Sequence, residues 1–222
     1  MSLVLTLSGL KPATRPVPRL RDSPGTTLDL MVVSTSRRHC AGVDLASGTL
    51  VRGWCESEID DRLRPYDVVA VTVGGDEDIV PDPSEPEAVV LSGQPRLVGR
   101  LAGRRARRLI RPLLHPERAA LLGFPGPSTP FWERSPDQPS VAIAQPAGPL
   151  TVTFEAGGLW CHFVWGARPQ VLACCDPRLA ASMMRRRANY VNVRPGTFIV
   201  LALEPPVDGQ CHKVVEALVP RR

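Results

Sequence analysis

The residues of this chain best suited to chemistry lie in one short stretch, Ser34-Thr35-Ser36-Arg37-Arg38-His39-Cys40-Ala41-Gly42-Val43-Asp44, followed by a Ser47-Gly48 turn and Arg52. It supplies a thiol, an imidazole, a carboxylate and three guanidiniums. Cysteine catalysis needs a base held beside the thiol. His39 is the immediate neighbour of Cys40, and neighbours on a strand point to opposite faces, so the two do not make a nucleophile and its base. Asp44 is expected to hold the hairpin or to pair with Arg37 or Arg52. Metal chemistry would draw on His39-Cys40, Cys161-His162 and Cys211-His212. By the same alternation each dipeptide offers one inward ligand at most. The six cysteines, with no C-x-x-C pair among them, read as small core hydrophobes. No catalytic residue, metal ligand or cofactor is expected. What remains is basic: Arg37, Arg38 and Arg52 come from adjacent parts of one unit and can line one groove. A guanidinium both pairs with phosphate and stacks on a base.

The wider charge pattern points the same way. The net charge is +5, with Lys11 and Lys213 the only lysines. Segment 96–118 holds eight arginines against Glu117, a net of +7, which leaves −2 for the rest of the chain. Segment 76–87 carries six acids and no base. The chain is electrically polarised rather than uniformly basic.

These groups must be positioned by short strands. Apolar residues make up 43% of the chain and aromatics 5%, so its core rests on Val, Leu and Ala. The 24 prolines and 18 glycines suit strands joined by turns. Strand-like runs fall at 29–34, 39–45, 49–55, 67–73 and 88–91, then at 141–144, 150–155, 159–165, 169–175, 197–203 and 211–219. Between the two sets, Leu97, Val98, Leu101, Ala102, Ala106, Leu109 and Ile110 recur at helical spacing with arginines opposite. That predicts an amphipathic helix over 97–111, ended by Pro112, with a second short helix from Pro116 to Leu122. A further helix over 177–188 has Asp176 as its cap and Pro177 at its first position. Its Arg185-Arg186-Arg187 run spreads around the helix. Trp132 reads as a loop anchor, and Trp160 and Trp165 read as packing residues. Residues 1–27 read as a disordered Pro/Arg-rich extension, with Leu3–Leu7 a stray strand at most. No run is long and apolar enough to span a bilayer, and no signal-peptide core is present. A cytoplasmic, non-membrane protein is expected.

Three motifs resemble the dual OB-containing domain family of bacterial proteins. The opening, Thr35-Ser36-Arg37-Arg38, Cys40-Ala41-Gly42-Val43-Asp44 and Ser47-Gly48-Thr49-Leu50-Val51-Arg52-Gly53, is similar to its Asn-Ser-Arg-Lys, Cys-x-Ala-Gly-x-Asp and Thr-Gly-x-x-x-Arg-Pro signature. Leu63-Arg64-Pro65-Tyr66-Asp67-Val68-Val69 resembles its Leu-Asp-Val-Val strand. Gly209-Gln210-Cys211-His212-Lys213-Val214-Val215 resembles its Gly-x-Cys-x-Lys-Leu-Val closing strand. Thr35 replaces the family's Asn, Gly53 its Pro, and the spacer before Cys40 is shorter.

The resemblance implies a mainly β fold with a few helices (α+β), built as two OB-like small β-barrels joined by an amphipathic helix. The first barrel would span 28–95, the helix and Pro-rich connector 96–140, and the second barrel 141–222. Such barrels commonly hold single strands. The expected function is a non-enzymatic nucleic-acid-binding module, acting beside other proteins in bacterial nucleic-acid processing or phage defence. Its expected contact residues are Arg37, Arg38, Arg52, Arg100, Arg104, Arg108 and Lys213. The alternative is a protein-interaction adaptor that uses the polarised charge to meet a protein partner.

Overall fold

The computed structural model describes residues 24–60, 62–74 and 85–220. The N-terminal extension up to residue 23, with Leu3–Leu7, lies outside the described residues, as does most of the acidic loop. Strands β1 (Thr27–Thr35), β2 (His39–Asp44), β3 (Leu50–Trp54), β4 (Asp67–Thr72), β5 (Ala88–Val90) and β6 (Arg96–Arg100) form one sheet in the order β5-β3-β2-β1-β4-β6. A second sheet contains β7 (Ser128–Pro130), β8 (Val141–Ala144), β9 (Leu150–Glu155), β10 (Gly158–Trp165), β11 (Arg168–Cys174), β12 (Tyr190–Val193), β13 (Phe198–Leu203) and β14 (Gln210–Val219). Its order is β12-β9-β10-β11-β14-β13-β8, with β7 on β14. Pairing is antiparallel except between β3 and β5 and between β11 and β14. Among the described residues two α-helices, α1 (Gly103–Ile110) and α2 (Pro177–Arg186), complete a mostly β fold. Among the described residues neither strand path closes into a barrel. No described helix is long and apolar enough to cross a membrane.

Alternation along the central strands sorts their side chains between cores. Leu28, Leu30 and Val32 of β1 enter a cluster on one face of the first sheet, with Val51, Val69 and Val71. Met31 and Val33 face the other way, onto Val141, Ile143, Phe198, Val200, Ala217 and Val219 of the second sheet. Ala142, Ala144, Ile199, Leu201 and Val215 then face a third cluster. Strands β8 and β13 are thus buried on both faces, which is why they read as unbroken apolar runs rather than as alternating ones. The middle cluster is made jointly by both sheets, and helix α1 adds Ala106 and Ile110 to it. Gly42 of the opening motif is required by close approach. A Cβ there would lie 3.0 Å from both Leu30 Cβ and the Met31 carbonyl. At Gly53, a Cβ would meet Leu91 Cδ1 at 2.6 Å.

The helix expected over 97–111 is half strand. Arg96–Arg100 pairs with β4, setting Val69 opposite Leu97 and Asp67 opposite Arg100. The ladder satisfies backbone groups of β4 that a helix would leave open, so tertiary pairing overrides local spacing. The helix starts only at Gly103. It is too short to be stable alone and is held by Ala106 and Ile110. No helix forms over Pro116–Leu122. A 3₁₀ turn at Leu121–Gly123 stands there, with Leu122 at φ +54°. Helix α2 forms with Asp176 accepting from the Arg178 and Leu179 amides. Trp132 is no anchor: it is 66% exposed, its ring edge resting near Gly209.

Because one core joins both sheets, truncation in the second sheet should be felt by the whole molecule. Ile143→Ala should cost about 2–5 kcal/mol and lower a single unfolding transition, followed by circular dichroism and by tryptophan fluorescence. Two separated transitions, with only one moved, would contradict a shared core.

Candidate nucleic-acid interface

The opening motif builds the junction between the sheets. Strand β1 bulges at Val33, where the register slips between Val32 and Ser34, and β14 bulges at Glu216, where it slips between Val200 and Leu201. A bulge re-aims the side chains beside it. Here the two bulges bring Ser34 and Glu216 together in the interior, and the Ser34 hydroxyl donates to Glu216 Oε2 at 2.7 Å. His39 Nε2 bonds Glu216 Oε1, and His39 Nδ1 bonds the Ser36 hydroxyl at 2.6 Å. Burial pushes the Glu216 carboxyl up. The hydrogen bond and charge of His39, the Arg52 guanidinium and the Ser34 bond outweigh it and hold the group below the usual glutamate range.

Ser36, His39 and Glu216 stand in the order of a nucleophile, base and orienting acid. The serine, however, is tied into a turn with its own histidine, its amide donating to the His39 carbonyl at 2.8 Å. The chain of bonds serves as a clamp from the β1–β2 turn to β14.

Two of the seven expected contact residues lie inside the protein and do not line a surface groove. Arg52 is 2% exposed. It donates to Glu85 Oε1 and to the Leu203 carbonyl, both at 3.2 Å, and lies 4.9 Å from the Trp54 ring centre. Sequence reasoning missed this because β3 is central to the sheet, and a guanidinium there has to find its partners inside. Lys213 is 3% exposed. Its Nζ donates to the Phe124 and Gly126 carbonyls at 2.6 and 2.8 Å, above the Phe124 ring. Burial lowers its pKa to about 8. A second bridge between the sheets runs from the Ser140 amide and hydroxyl to Glu87 Oε2, at 3.1 and 2.8 Å. Burial raises the Glu87 carboxyl, and the Ser140 bonds pull it partly back.

The other five expected residues are exposed. Arg37 pairs with Glu58, and Arg38 is its neighbour in the same turn. Arg100 reaches Asp67 at 3.5 Å. Arg104 and Arg108 project from α1 opposite its buried Ala106 and Ile110. Met31 pairs with Val68 and Asp67 with Arg100, so the β1–β2 turn and the β6–α1 connection leave the sheet at the same end. They stand two strand spacings apart, roughly 10 Å. Asp44 binds the Ser47 amide and hydroxyl at 2.9 and 2.5 Å, and so holds the hairpin.

Three arginines that the sequence did not single out complete this surface. A groove of about 390 Å³ is lined by Arg64, Arg100, Arg178 and Arg194, with Asn192, Val193 and Pro220. It runs from that end of the first sheet to the β12 edge of the second. Asp176 also lines it but is occupied as the α2 cap and by the Leu218 amide. No local signal marks Arg64, Arg178 or Arg194 as parts of one surface, because they come from three different segments of the chain.

Cys40, Cys55, Cys161 and Cys174 are buried free thiols and Cys175 an exposed one, and burial pushes the Cys40 thiol up to about 12. Among the described residues no three His, Cys, Asp or Glu side chains gather to hold a metal ion.

The Glu216 clamp has an acid signature. Its folded-state pKa lies below the unfolded value, so its contribution is complete above about pH 4.3 and is lost as the pH falls through the lower folded-state value. Glu216→Gln should cost about 3 kcal/mol at neutral pH, with the gap to the native protein narrowing in acid. Urea unfolding at both acidities checks this, and a gap unchanged by acid would refute it.

No protein-family model matches the chain, and no curated protein and no solved structure is significantly similar to it.

Proposed function

We propose that the protein is a non-enzymatic nucleic-acid-binding module. The observation that supports this best is the groove where Arg64, Arg100, Arg178 and Arg194 converge from four separate segments. Helix α1 extends the positive surface with Arg104, Arg105 and Arg108, none of which is in an ion pair among the described residues. Guanidiniums along a groove suit a phosphate backbone, whose neutralisation releases counterions and makes binding salt dependent. In this reading the two open sheets are the counterparts of two OB-like barrels, and the polyanion runs across their junction. The setting in bacterial nucleic-acid processing or phage defence rests on the motif resemblance alone.

A protein-interaction adaptor is the second reading. It is favoured by a groove of about 570 Å³ between α2 and the β9–β10 hairpin, where Phe154 and Met184 are exposed. A pull-down that captures a stable protein partner, together with no oligonucleotide binding, would decide for it.

Fluorescence anisotropy with labelled single-stranded DNA and RNA tests the first reading. Affinity should fall steeply between about 50 and 200 mM salt. Arg64→Ala combined with Arg194→Ala should weaken binding to all sequences and reduce the log–log salt slope by about two. Absence of binding at the lower salt would end this reading.

A further inference from the structure

Lys213 lies on β14 between Cys211 and Val215, two residues of the third core cluster, and alternation puts it on their side of the strand. On the neighbouring β11, Leu172 and Cys174 face the same cluster, so Gln170 and Arg168 share that side. Arg168 is paired with Trp165 and Gln170 with Phe163, both inward-facing residues of β10. One end of this core face is therefore polar. Segment 116–126 lies against it and leaves a pocket of about 320 Å³, lined by Arg118, Arg168, Lys213 and Glu117 together with Phe124 and Trp165. The pocket shares no lining residue with the four-arginine groove.

The walls are fixed by the fold. The Trp165 indole donates to the Ala119 carbonyl at 2.9 Å, which ties the segment to β10. The Lys213 amide donates to the Pro127 carbonyl at 2.8 Å, and its Nζ to the Phe124 and Gly126 carbonyls, which ties it to β14. Gly166, in the turn between β10 and β11, has φ +55°, and a Cβ there would lie 3.2 Å from the Glu117 carbonyl oxygen. A ligand entering such a site finds it already shaped, which lowers the ordering cost of binding.

The charge of the pocket is positive. Lys213 is 3% exposed, its Nζ 3.9 Å from the Phe124 ring centre, and no carboxylate pairs with it among the described residues. A buried charge without a counterion is costly, and burial has already lowered this amine to about 8. Arg118 and Arg168 are exposed and in no ion pair among the described residues, and the same holds for Glu117. His115, whose ring centre lies 6.0 Å from that of Trp165, is held below its usual pKa by burial and by Lys213, so it adds no charge at neutral pH. Three cations against one acid leave the pocket two positive charges in excess.

We propose that this pocket binds the phosphate group of a small phosphomonoester. That group carries about two negative charges at neutral pH and so matches the excess, whereas a carboxylate would neutralise half of it. Arg118 and Arg168 contact the phosphate oxygens from the mouth, where the guanidinium fork suits their geometry. Lys213, whose hydrogen bonds go to protein carbonyls, acts from the interior through its charge. Glu117 at the rim opposes binding. The volume is at the small end for ligand sites, which suits a molecule of nucleotide size or less. The site is separate from the nucleic-acid reading above and does not depend on it.

Calorimetric titration of the full chain with inorganic phosphate, adenosine 5′-monophosphate, adenosine and acetate tests this. The two phosphates should bind, and adenosine and acetate should not. Arg118→Ala and Arg168→Ala should each weaken phosphate binding about tenfold; both residues are exposed, and circular dichroism checks that the fold is kept. Glu117→Gln should strengthen binding about threefold, a gain that no folding defect produces. The Arg64→Ala/Arg194→Ala pair should leave phosphate binding unchanged; if it abolishes binding while Arg118→Ala does not, the anion sits in the groove and the proposal is overturned. Acetate binding as tight as phosphate would overturn it too. If adenosine monophosphate does not bind, but a 5′-phosphorylated oligonucleotide does and loses affinity in Arg118→Ala, the pocket takes strand ends and the small-molecule assignment is overturned. If no phosphate binds in any form, the pocket proposal fails, and oligonucleotide binding through the groove still stands or falls by its own test.

Discussion

A carboxylate shut inside the protein, that of Glu216, sets the conditions the rest of the molecule must meet. An unpaired charge in such a place costs several kcal/mol. It is tolerated because Ser34, His39 and Arg52 surround it with a hydroxyl, an imidazole and a guanidinium. Those three residues come from β1, the start of β2 and β3, whereas Glu216 comes from the last strand. The second sheet can satisfy its glutamate, and the first sheet's Arg52 can reach the Leu203 carbonyl, only when the two are docked in one register. Apolar contacts across the middle cluster supply the bulk of the attraction. The polar junction selects which docking is allowed.

That constraint explains how the basic residues divide. Arg52 and Lys213 lie in the motifs that most invite a binding role, yet both are spent on internal acceptors. The positive surface comes instead from residues around the ends of strands and helices: Arg64 ahead of β4, Arg100 at the end of β6, Arg178 in the first turn of α2 and Arg194 after β12. Exposed ends can carry guanidiniums without desolvating them. Central strands cannot, unless they bring acceptors with them.

How legible each element was depends on whether local or distant forces decide it. Strands β1 to β4, β8 to β11, β13 and β14 show in the chain because each has enough branched or apolar residues between turn signals. Strands β7 and β12 are three or four residues long and have no such run, so pairing with β14 and β9 makes them strands. Segment 96–100 fits a helical spacing as well as an edge strand, and the vacant ladder of β4 decides it. Trp160 shows the same limit at the level of one side chain. In Leu159-Trp160-Cys161-His162-Phe163-Val164-Trp165 both alternating sets are largely apolar, so parity separates the two faces but does not say which one is inside. The core built by α2, β13 and β14 claims the face with Leu159, and Trp160 is left outside.

By itself, the sequence settles the β-rich character, most strand positions, the Asp176 cap of α2, the Ser47-Gly48 turn and the polarised charge. All of these follow from turn chemistry, side-chain alternation and composition over a few residues. Tertiary structure alone decides that the motif arginine is buried, that Glu216 joins the sheets, that four scattered arginines share a groove and that Arg118, Arg168 and Lys213 line one pocket. Each of these depends on which distant strand becomes a neighbour. That choice is made by packing and by the need to satisfy buried polar groups, and neither of these is carried by any short stretch of chain.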